Sequence, residues 1–294
     1  MSAIKKCFIS RWGEEGRILQ ADYSQLEVIG VAFLSQDANL YEDILLGRDL
    51  HCMSASFMYD IPYEQVFREV KVNKNPEYIE MRKSAKSPTF QLQYGAGYKS
   101  IARKCGLPEA LAKQFVENYY NRYSGLRQWQ EDNIETVKKS RVGTNMRTEN
   151  GYPKGQGELV SITGRRYVFM ETESPEWMHK RGEYTSFNPP NIKNYPSQGF
   201  ATGDIVPMVL GELYHVLTDN ERLRDKALLI NTIHDSVMLD VHESVLTEAA
   251  KTVKATLEHA PAYLEHHFAI HFDLPLRVEV EAGYNWGEME EIVL

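Results

Sequence analysis

The sequence predicts an α+β fold that combines a small, mainly antiparallel sheet with a helical subdomain. Two features carry this prediction: apolar residues recur at helical spacing through several segments, and two apolar runs flank an Ile-His-Asp-Ser turn. The 294 residues, 43% hydrophobic and 25% charged, suffice for about two domains with ordinary cores. This composition excludes a disordered chain, a collagen-like chain and a small disulfide scaffold.

The first half of the chain predicts one strand followed by helices, because the strand ends at a carboxylate and the later segments show periods of three and four. In order, we expect a strand at 17–22, helices at 26–46 and 50–59, a connector at 61–80, and helices at 80–95 and 108–139. Pro88 lies inside the helix at 80–95, where it removes a backbone donor and clashes with the preceding turn. We therefore expect a kink near residues 84–87, with Lys86 and Phe90 still roughly aligned.

The second half begins with a segment rich in glycine and proline, which predicts loops. In order, we expect loops at 141–196 with one strand at about 159–170, a helix at 199–217, a hairpin around 234–236, helices from 243 to about 271, and a strand at 276–280. The hairpin prediction rests on the run LLINTIHDSVMLDV, in which two short apolar stretches surround the turn.

Charge is distributed unevenly along the chain, whose overall net charge is −8. Residues 82–181 carry a net charge of +8, whereas residues 201–294 carry −11. A basic middle beside acidic flanks suits a groove for a polyanion together with a carboxylate-rich site that requires cations. Ordinary surface variation is the equally simple alternative.

Targeting signals are not readable in the sequence. The longest apolar run, 28–34, is far below the length of a bilayer span, and no apolar stretch follows the first lysines. Cys7, Cys52 and Cys105 are widely separated, which indicates reduced thiols. We therefore expect a cytoplasmic protein without a membrane partner.

Two acidic segments are candidates for metal chemistry. Asp22 opens the run Asp-Tyr-Ser-Gln-Leu-Glu at a strand-to-helix transition, and Asp235 lies in the predicted hairpin turn between His234 and Ser236. Two aspartates brought together repel each other, and a pair of Mg²⁺ ions about 3.5–4 Å apart would relieve that repulsion. Either aspartate alone is more simply a helix cap or a turn residue.

The most distinctive pattern is a row of four side chains at strict four-residue spacing: Arg82, Lys86, Phe90 and Tyr94. On a helix they occupy one face, about one turn apart. The two cations could hold a triphosphate, and the two rings could stack on a base. An amphipathic helix that binds no ligand is the alternative interpretation.

Taken in order, these segments resemble motifs A, B and C of the family A (Pol I-like) DNA polymerases. Further segments resemble the same family: Gly47-Arg48-Asp49-Leu50-His51, Gly164-Arg165-Arg166-Tyr167, Asn194-x-Pro196-x-Gln198-Gly199, and a C-terminal stretch from Pro275 to Trp286. The resemblance covers nearly the whole chain, and three motifs with four secondary segments in the right order are highly specific.

The resemblance implies DNA synthesis at a two-metal site. Asp22 and Asp235, with the Tyr23 carbonyl, would bind two Mg²⁺ ions, for which Mn²⁺ could substitute. The triphosphate of an incoming deoxynucleotide would be held by a group of polar side chains: Lys86, Arg82, His51 and Gln25. Phe90 would pack on its sugar and base, Tyr94 would lie near the templating base, and Glu27 would exclude a 2′-hydroxyl.

Template-primer DNA is the second partner that the resemblance implies, with Arg165, Asn194 and Gln198 contacting it and His234 near the primer terminus. Two positions depart from the family pattern. Ser236 replaces the usual Glu of motif C, which predicts a modest loss of activity or an altered metal preference. Pro88 is the second departure, and it lies in the fingers helix that closes in the family, so it bears on that closing motion.

The resemblance also predicts an organisation into palm and fingers: a first part of the palm at 1–60, fingers at 61–145 and a second part of the palm at 146–294. The chain starts only 21 residues before Asp22, so we expect thumb and exonuclease domains to be absent. We expect a split, phage-type enzyme whose thumb comes from a second chain, and a cloned fragment and a truncated remnant are the alternatives for this organisation. A non-catalytic assembly subunit and a relative of the single-subunit RNA polymerases are the alternatives.

Overall fold

The computed structural model of the protein describes residues 3–294. These residues divide into two compact units. The described residues up to Gly30, together with Gln198–Leu294, form what we call the five-stranded unit. Val31–Ser197 form what we call the helical unit.

Ten strands and thirteen α-helices are formed by the described residues. The strands are β1 (Gly16–Tyr23), β2 (Val142–Arg147), β3 (Pro153–Val160), β4 (Arg166–Met170), β5 (Thr172–Glu173), β6 (Thr185–Ser186), β7 (Ala227–Ile233), β8 (Ser236–His242), β9 (Val278–Asn285) and β10 (Glu288–Glu291). The helices are α1 (Leu26–Ser35), α2 (Ala38–Leu45), α3 (Leu50–Tyr59), α4 (Tyr63–Phe67), α5 (Pro76–Gln93), α6 (Tyr98–Cys105), α7 (Glu109–Arg122), α8 (Ser124–Lys139), α9 (Glu176–His179), α10 (Pro189–Gln198), α11 (Val206–Asp219), α12 (Leu246–Glu258) and α13 (Ala260–Phe268). Arg68–Val72 and Gly199–Ile205 form π-helical turns. From residue 3 to the C-terminus, no helix is long and apolar enough to cross a membrane.

The five-stranded unit is built on an antiparallel sheet in the order β10-β9-β1-β8-β7. Strand β1 is central, and alternate residues of it face a core that α12 helps to cover. Leu19 and Ala21 are fully buried. Tyr23 is 4% exposed, and its hydroxyl donates a hydrogen bond of 2.6 Å to the Leu257 carbonyl of α12. The opposite face of β1 therefore carries the polar residues Gln20 and Asp22.

The core of the helical unit contains aromatic side chains from α3 and α7. Tyr119 packs against Phe57 and Tyr123 with ring centroids 5.9 and 4.9 Å away. Beside this cluster lies the fully buried carboxylate of Asp43, which accepts hydrogen bonds from Arg122, Arg48 and the Tyr123 hydroxyl. Burial of a charge is costly unless it is paired, and here two guanidinium groups provide that pairing.

The segment 141–196 is more regular than its glycine and proline content predicts. It forms the three-stranded sheet β2-β3-β4, the two-stranded sheet β5-β6 and the helices α9 and α10. The single strand predicted at about 159–170 is wrong, because a turn at residues 161–165 separates β3 from β4. A second core holds these elements together, with Val137 of α8 packed among Leu159, Phe169, Phe187 and Ile192.

Two predicted long helices are each divided in the structure. The helix expected at 26–46 breaks at Gln36, which has a φ of +51°, and Asp37 then caps α2 by accepting from the Leu40 N–H. The helix expected at 108–139 breaks at Tyr123, where ψ is 62°. Both breaks are held by buried side chains, because Asp37 also accepts from the Leu126 N–H and Tyr123 donates to Asp43. Local periodicity carries no information about such tertiary contacts.

Three of the remaining predictions match closely, whereas others differ from the structure in their bounds. The strand at 17–22, the helix at 50–59 and the hairpin around 234–236 are confirmed. The connector at 61–80 contains the short helix α4 and a π-helical turn, and α5 begins at Pro76 rather than at residue 80. Helix α5 runs through Pro88 without interruption, and the Thr89 hydroxyl donates to the Ala85 carbonyl at 2.7 Å.

Candidate active site

The two candidate metal-binding aspartates lie side by side in the five-stranded unit. Asp22 is on β1 directly opposite Ser236 of β8, and Asp235 occupies the two-residue turn just before that serine. The Tyr23 N–H donates to the Asp235 carbonyl at 3.4 Å. His234 has a φ of +56°, a left-handed conformation that costs about 1–2 kcal/mol for a residue other than glycine. Strain of this kind is typical of functional sites.

Both aspartates of this pair have a raised pKa. Burial, followed by the charge of Asp235 and a hydrogen bond with it, raises the pKa of Asp22 from 3.8 to about 6. Burial also raises the pKa of Asp235. One oxygen of Asp22, Oδ1, is buried and has no hydrogen-bond partner. A buried acceptor without a donor is costly, and a bound cation would satisfy it.

Two further acidic side chains, Glu279 and Glu281 of β9, also raise the pKa of Asp22. Glu279 lies opposite Asp22 in the β1–β9 register, and it accepts a hydrogen bond of 3.1 Å from the Ser24 hydroxyl. Both glutamates lie in the C-terminal stretch that resembles the family, but neither is predicted from the sequence as a site residue. The alternation Val278-Glu279-Val280-Glu281 indicates that they share a face, but only the strand order shows that β1 is the neighbour.

Ser236, the residue that departs from the motif C pattern, has a structural function in the turn. Its side chain is buried, and its hydroxyl donates to the Ile233 carbonyl at 2.9 Å. The Thr232 hydroxyl in turn donates to the Ser236 carbonyl at 3.0 Å. These bonds hold the turn that presents Asp235.

Three other candidate residues belong to the five-stranded unit. Gln25 and Glu27 follow Asp22 in the chain, and Gln198 begins the second stretch of the chain that forms this unit. Gln25 links β1 to α1 with a φ of +64°, and its carbonyl accepts from the Ile29 N–H. Glu27 is half-buried in the first turn of α1. Gln198 ends α10, and its carbonyl accepts from the Thr202 hydroxyl at 2.8 Å.

In the helical unit, three of the four side chains in the predicted row line a cavity of about 470 Å³. Lys86, Phe90 and Tyr94 contribute to this cavity together with Lys83, Ser87 and Gln91. The Lys86 Nζ atom lies 5.9 Å from the centre of the Phe90 ring, and the His51 ring meets Phe90 edge-on at 6.0 Å. The structure thus places two predicted nucleotide-binding side chains, Lys86 and His51, against the ring of a third, Phe90, and Tyr94 lines the same cavity as Lys86 and Phe90.

Arg82, the first residue of the row, is engaged by a carboxylate. Its Nε and Nη2 atoms donate to Asp49 at 2.9–3.2 Å, and the Lys71 Nζ atom lies 3.0 Å from the same carboxylate. Asp49 also caps α3 by accepting from the His51 and Cys52 N–H groups. Burial alone would raise the pKa of Asp49, but hydrogen bonds from Arg82, Cys52 and Lys71 outweigh it and hold that pKa well below its usual range.

The candidate DNA-contacting residues of the helical unit occupy different elements. Arg165 lies in the turn between β3 and β4, where its N–H donates to the Ser161 hydroxyl. Asn194 lies on α10, close to the point where that helix meets the end of α5. There Gly95, with a φ of +79°, packs so tightly that an added Cβ would lie 2.8 Å from the Pro190 Cα atom.

Comparison with known proteins identifies the family. The family model of DNA polymerase family A matches residues 1–288. DNA polymerase I of Rhizobium leguminosarum is 25% identical over 285 residues, and the thermostable DNA polymerase I of Thermus filiformis is 28% identical over 292 residues. These matches cover 97% and 98% of this chain, which spans only about a quarter of the curated relatives' length, 24% and 29%.

A solved structure shares the fold. The POL domain of Pol1 from M. smegmatis, in complex with DNA primer-template and dNTP, aligns with a TM-score of 0.66 and 24% identity. The alignment covers 96% of this chain and 42% of that one. With the family match across residues 1–288, these findings show that the chain belongs to DNA polymerase family A.

Proposed function

We propose that this chain catalyses template-directed DNA synthesis. A primer 3′-hydroxyl attacks the α-phosphorus of a deoxynucleoside triphosphate, a new P–O bond forms, the bond to the β-phosphate breaks and pyrophosphate leaves, while the hydroxyl proton passes to solvent. The observation that carries the proposal is the pair of adjacent carboxylates, Asp22 and Asp235, with a buried oxygen that lacks a donor.

Asp22 and Asp235, with the Tyr23 carbonyl, would hold two Mg²⁺ ions, and Mn²⁺ could substitute. Oxygen ligands are those that Mg²⁺ prefers, and the unpartnered Oδ1 of Asp22 suits this use. Across residues 3–294, no three His, Cys, Asp or Glu side chains form a metal-binding group, so phosphates and water would complete the coordination. When bound, the ions would supply positive charge that activates the 3′-hydroxyl and stabilises the leaving pyrophosphate.

The helical unit would bind the incoming nucleotide. Lys86, Arg82 and His51 are assigned to its phosphates, and Lys86 lines the α5 cavity together with a second cation, Lys83. Besides burial, the positive charges of Arg82, Lys86 and Lys71 lower the pKa of His51. An arriving polyphosphate would relieve this mutual repulsion.

The aromatic side chains of α5 would bind the nucleoside. Phe90 is assigned to the sugar and base and Tyr94 to the templating base, since both rings line the same cavity. In the five-stranded unit, Gln25 is assigned to the triphosphate and Glu27 to the exclusion of a 2′-hydroxyl. Arg165, Asn194, Gln198 and His234 are assigned to template-primer DNA.

Primer extension at low salt with Mg²⁺ and four deoxynucleotides tests the proposal. We expect Asp235→Asn to lower the rate at least about 100-fold, because one of two metal-binding carboxylates is lost while the side chain keeps its size. Asp225→Asn, which removes an exposed carboxylate of the same unit, is the matched control and should retain the wild-type rate. An equal rate for wild type and Asp235→Asn would refute the assignment.

The same assay tests whether a second chain supplies affinity for DNA. If a thumb-bearing partner supplies DNA affinity, extension by this chain alone should require high enzyme concentration and fall steeply with salt. Efficient extension by this chain alone at low enzyme concentration would refute the idea that a thumb-bearing partner is required. A folded wild-type chain that neither extends primers nor binds Mg²⁺ would favour the non-catalytic alternative.

A further inference from the structure

The carboxylate of Asp49 has more donors than it can fully accept. Arg82 donates to both oxygens, Lys71 lies 3.0 Å from Oδ2, and the N–H groups of His51 and Cys52 donate to Oδ1. A carboxylate has about four lone-pair sites. Two cations and one anion also leave a net charge of +1 at this cluster.

Lys71 is held in this position by its own turn. It lies in the π-helical turn Arg68–Val72, a type of turn that is frequent at functional sites. Glu69 of the same turn accepts from the side chains of Asn73 and Asn75, and Asn75 caps α5. The turn is thereby fastened to the start of the helix that carries Arg82.

While Arg82 donates to Asp49 through Nε and Nη2, that edge of its guanidinium is not available for a two-bonded contact with a triphosphate, and only its remaining N–H groups are. The guanidinium side chain is 30% exposed and the Asp49 side chain 12%, so loss of the pair would leave a largely buried carboxylate without its partner. Lys71 is the only other cationic side chain recorded on that carboxylate in the described part of the chain. It can keep the charge of Asp49 compensated when Arg82 turns away.

We propose that Lys71 is a positioning residue of the nucleotide site: by sharing the Asp49 carboxylate, it makes the Arg82 guanidinium available to a triphosphate. This inference rests on the proposed function and adds to it a residue that no motif includes. Lys71 acts through Asp49 and Arg82 and is not assigned any contact with substrate.

A double-mutant cycle tests the inference through deoxynucleotide affinity. We expect Lys71→Gln to raise both the KM for deoxynucleotides and the Kd for a fluorescent dATP analogue about three- to tenfold, with kcat nearly unchanged. The reason is that Arg82 would remain hydrogen-bonded to Asp49. Lys71→Arg should restore the affinity. Lys74→Gln removes the same charge from an exposed position three residues away and should change the affinity less than twofold.

The second arm of the cycle uses Asp49→Asn, since asparagine also caps helices well. In that background Lys71→Gln should change the affinity less than twofold, because no carboxylate remains to share. An undiminished effect in the Asp49→Asn background would mean that Lys71 acts directly on the nucleotide and would overturn the inference. A lower Tm for Lys71→Gln without any change in KM or Kd would also overturn it.

The two readouts separate this inference from the proposed function. Binding of the dATP analogue without primer extension would count against DNA synthesis, and the cycle would still be read from Kd. A wild-type chain that extends primers with a KM insensitive to Lys71→Gln would retain the proposed function and refute the inference. A wild-type chain that binds no nucleotide would overturn both.

Discussion

Replacing Asp22 with asparagine is expected to stabilise the metal-free protein while it removes the proposed activity. The wild-type carboxylate is ionised at pH 7 beside Asp235, although burial and that neighbour raise its pKa from 3.8 to about 6. Asparagine has nearly the same shape without the charge. The substitution therefore removes a repulsion that destabilises the metal-free folded chain.

The size of the effect follows from the pKa. The difference between a pKa of 3.8 and one of about 6 corresponds to about 3 kcal/mol in the free energy of unfolding. Asp22 is only partly buried, and solvent screening reduces this figure to about 1 kcal/mol. For a chain of this size, that amounts to a rise in Tm of about 2–4 °C.

The pH dependence supplies an internal check. Because the folded-state pKa of Asp22 lies above its unfolded value, the wild type loses stability as the pH rises and this group ionises. The advantage of Asp22→Asn should be absent below about pH 4, grow as the pH rises towards 6 and remain constant above that. Glu221→Gln, an exposed charge removal in the same unit, is the control.

Thermal unfolding of both proteins between pH 4 and 8, with and without Mg²⁺, measures these quantities. Mg²⁺ should raise the Tm of the wild type more than that of Asp22→Asn, since ligands stabilise the state that binds them. A variant that is less stable than the wild type at pH 7, or a difference independent of pH, would refute the reasoning.

Three further predictions concern single side chains. Ser236→Glu, which inserts the residue usual in motif C, should destabilise the metal-free protein by about 2 kcal/mol, because it buries a carboxylate and breaks the bond to Ile233; thermal unfolding without Mg²⁺ measures this. Asp43→Asn should cost about 3 kcal/mol in urea unfolding, since Arg122 and Arg48 lose a buried partner. Gly95→Ala should cost about 2 kcal/mol by the same measurement, because a Cβ would approach Pro190 and φ is +79°.

Each of these three has a control and a contrary outcome. Ser236→Ala separates loss of the hydroxyl from the added charge, and a Ser236→Glu protein as stable as wild type would contradict the first prediction. Asp60→Asn, at an exposed position, is the control for Asp43→Asn, where an unchanged urea midpoint would be the contrary result. For Gly95→Ala the control is Gly97→Ala, where a Cβ meets open space, and equal stabilities of the two variants would contradict the contact argument.

Much of the candidate site could be predicted because its residues lie at chain features with strong local signals. Asp22 ends an alternating strand, Asp235 lies between two apolar runs, and the row from Arg82 to Tyr94 follows helical spacing. For Asp22 and the α5 row, the period of the side chains indicates the face they occupy, whereas the joint role of Asp22 and Asp235 is implied by the family resemblance. The same logic explains why the hairpin and the helix at 50–59 were correctly predicted.

The rest depends on partners that are distant in the chain. Helix breaks at Gln36 and Tyr123 are held by Asp37 and Asp43, whose partners lie about 80 to 90 residues away. The glutamates of β9 join Asp22 through strand order, which no local pattern contains. The pairing of Asp49 with Arg82 likewise links residues 33 positions apart. Long-range polar contacts of this kind carry no periodic signal.

The hydrogen bond from the Tyr23 hydroxyl to the Leu257 carbonyl has a consequence for how this site can vary. Its acceptor belongs to the main chain, so any apolar side chain that fills the same space at position 257 preserves the bond. Its donor is a phenol at the far end of a long ring, which no other natural side chain reproduces at position 23. Sequence change at position 257 is thus compatible with this bond, whereas any substitution of the residue that follows Asp22 removes it.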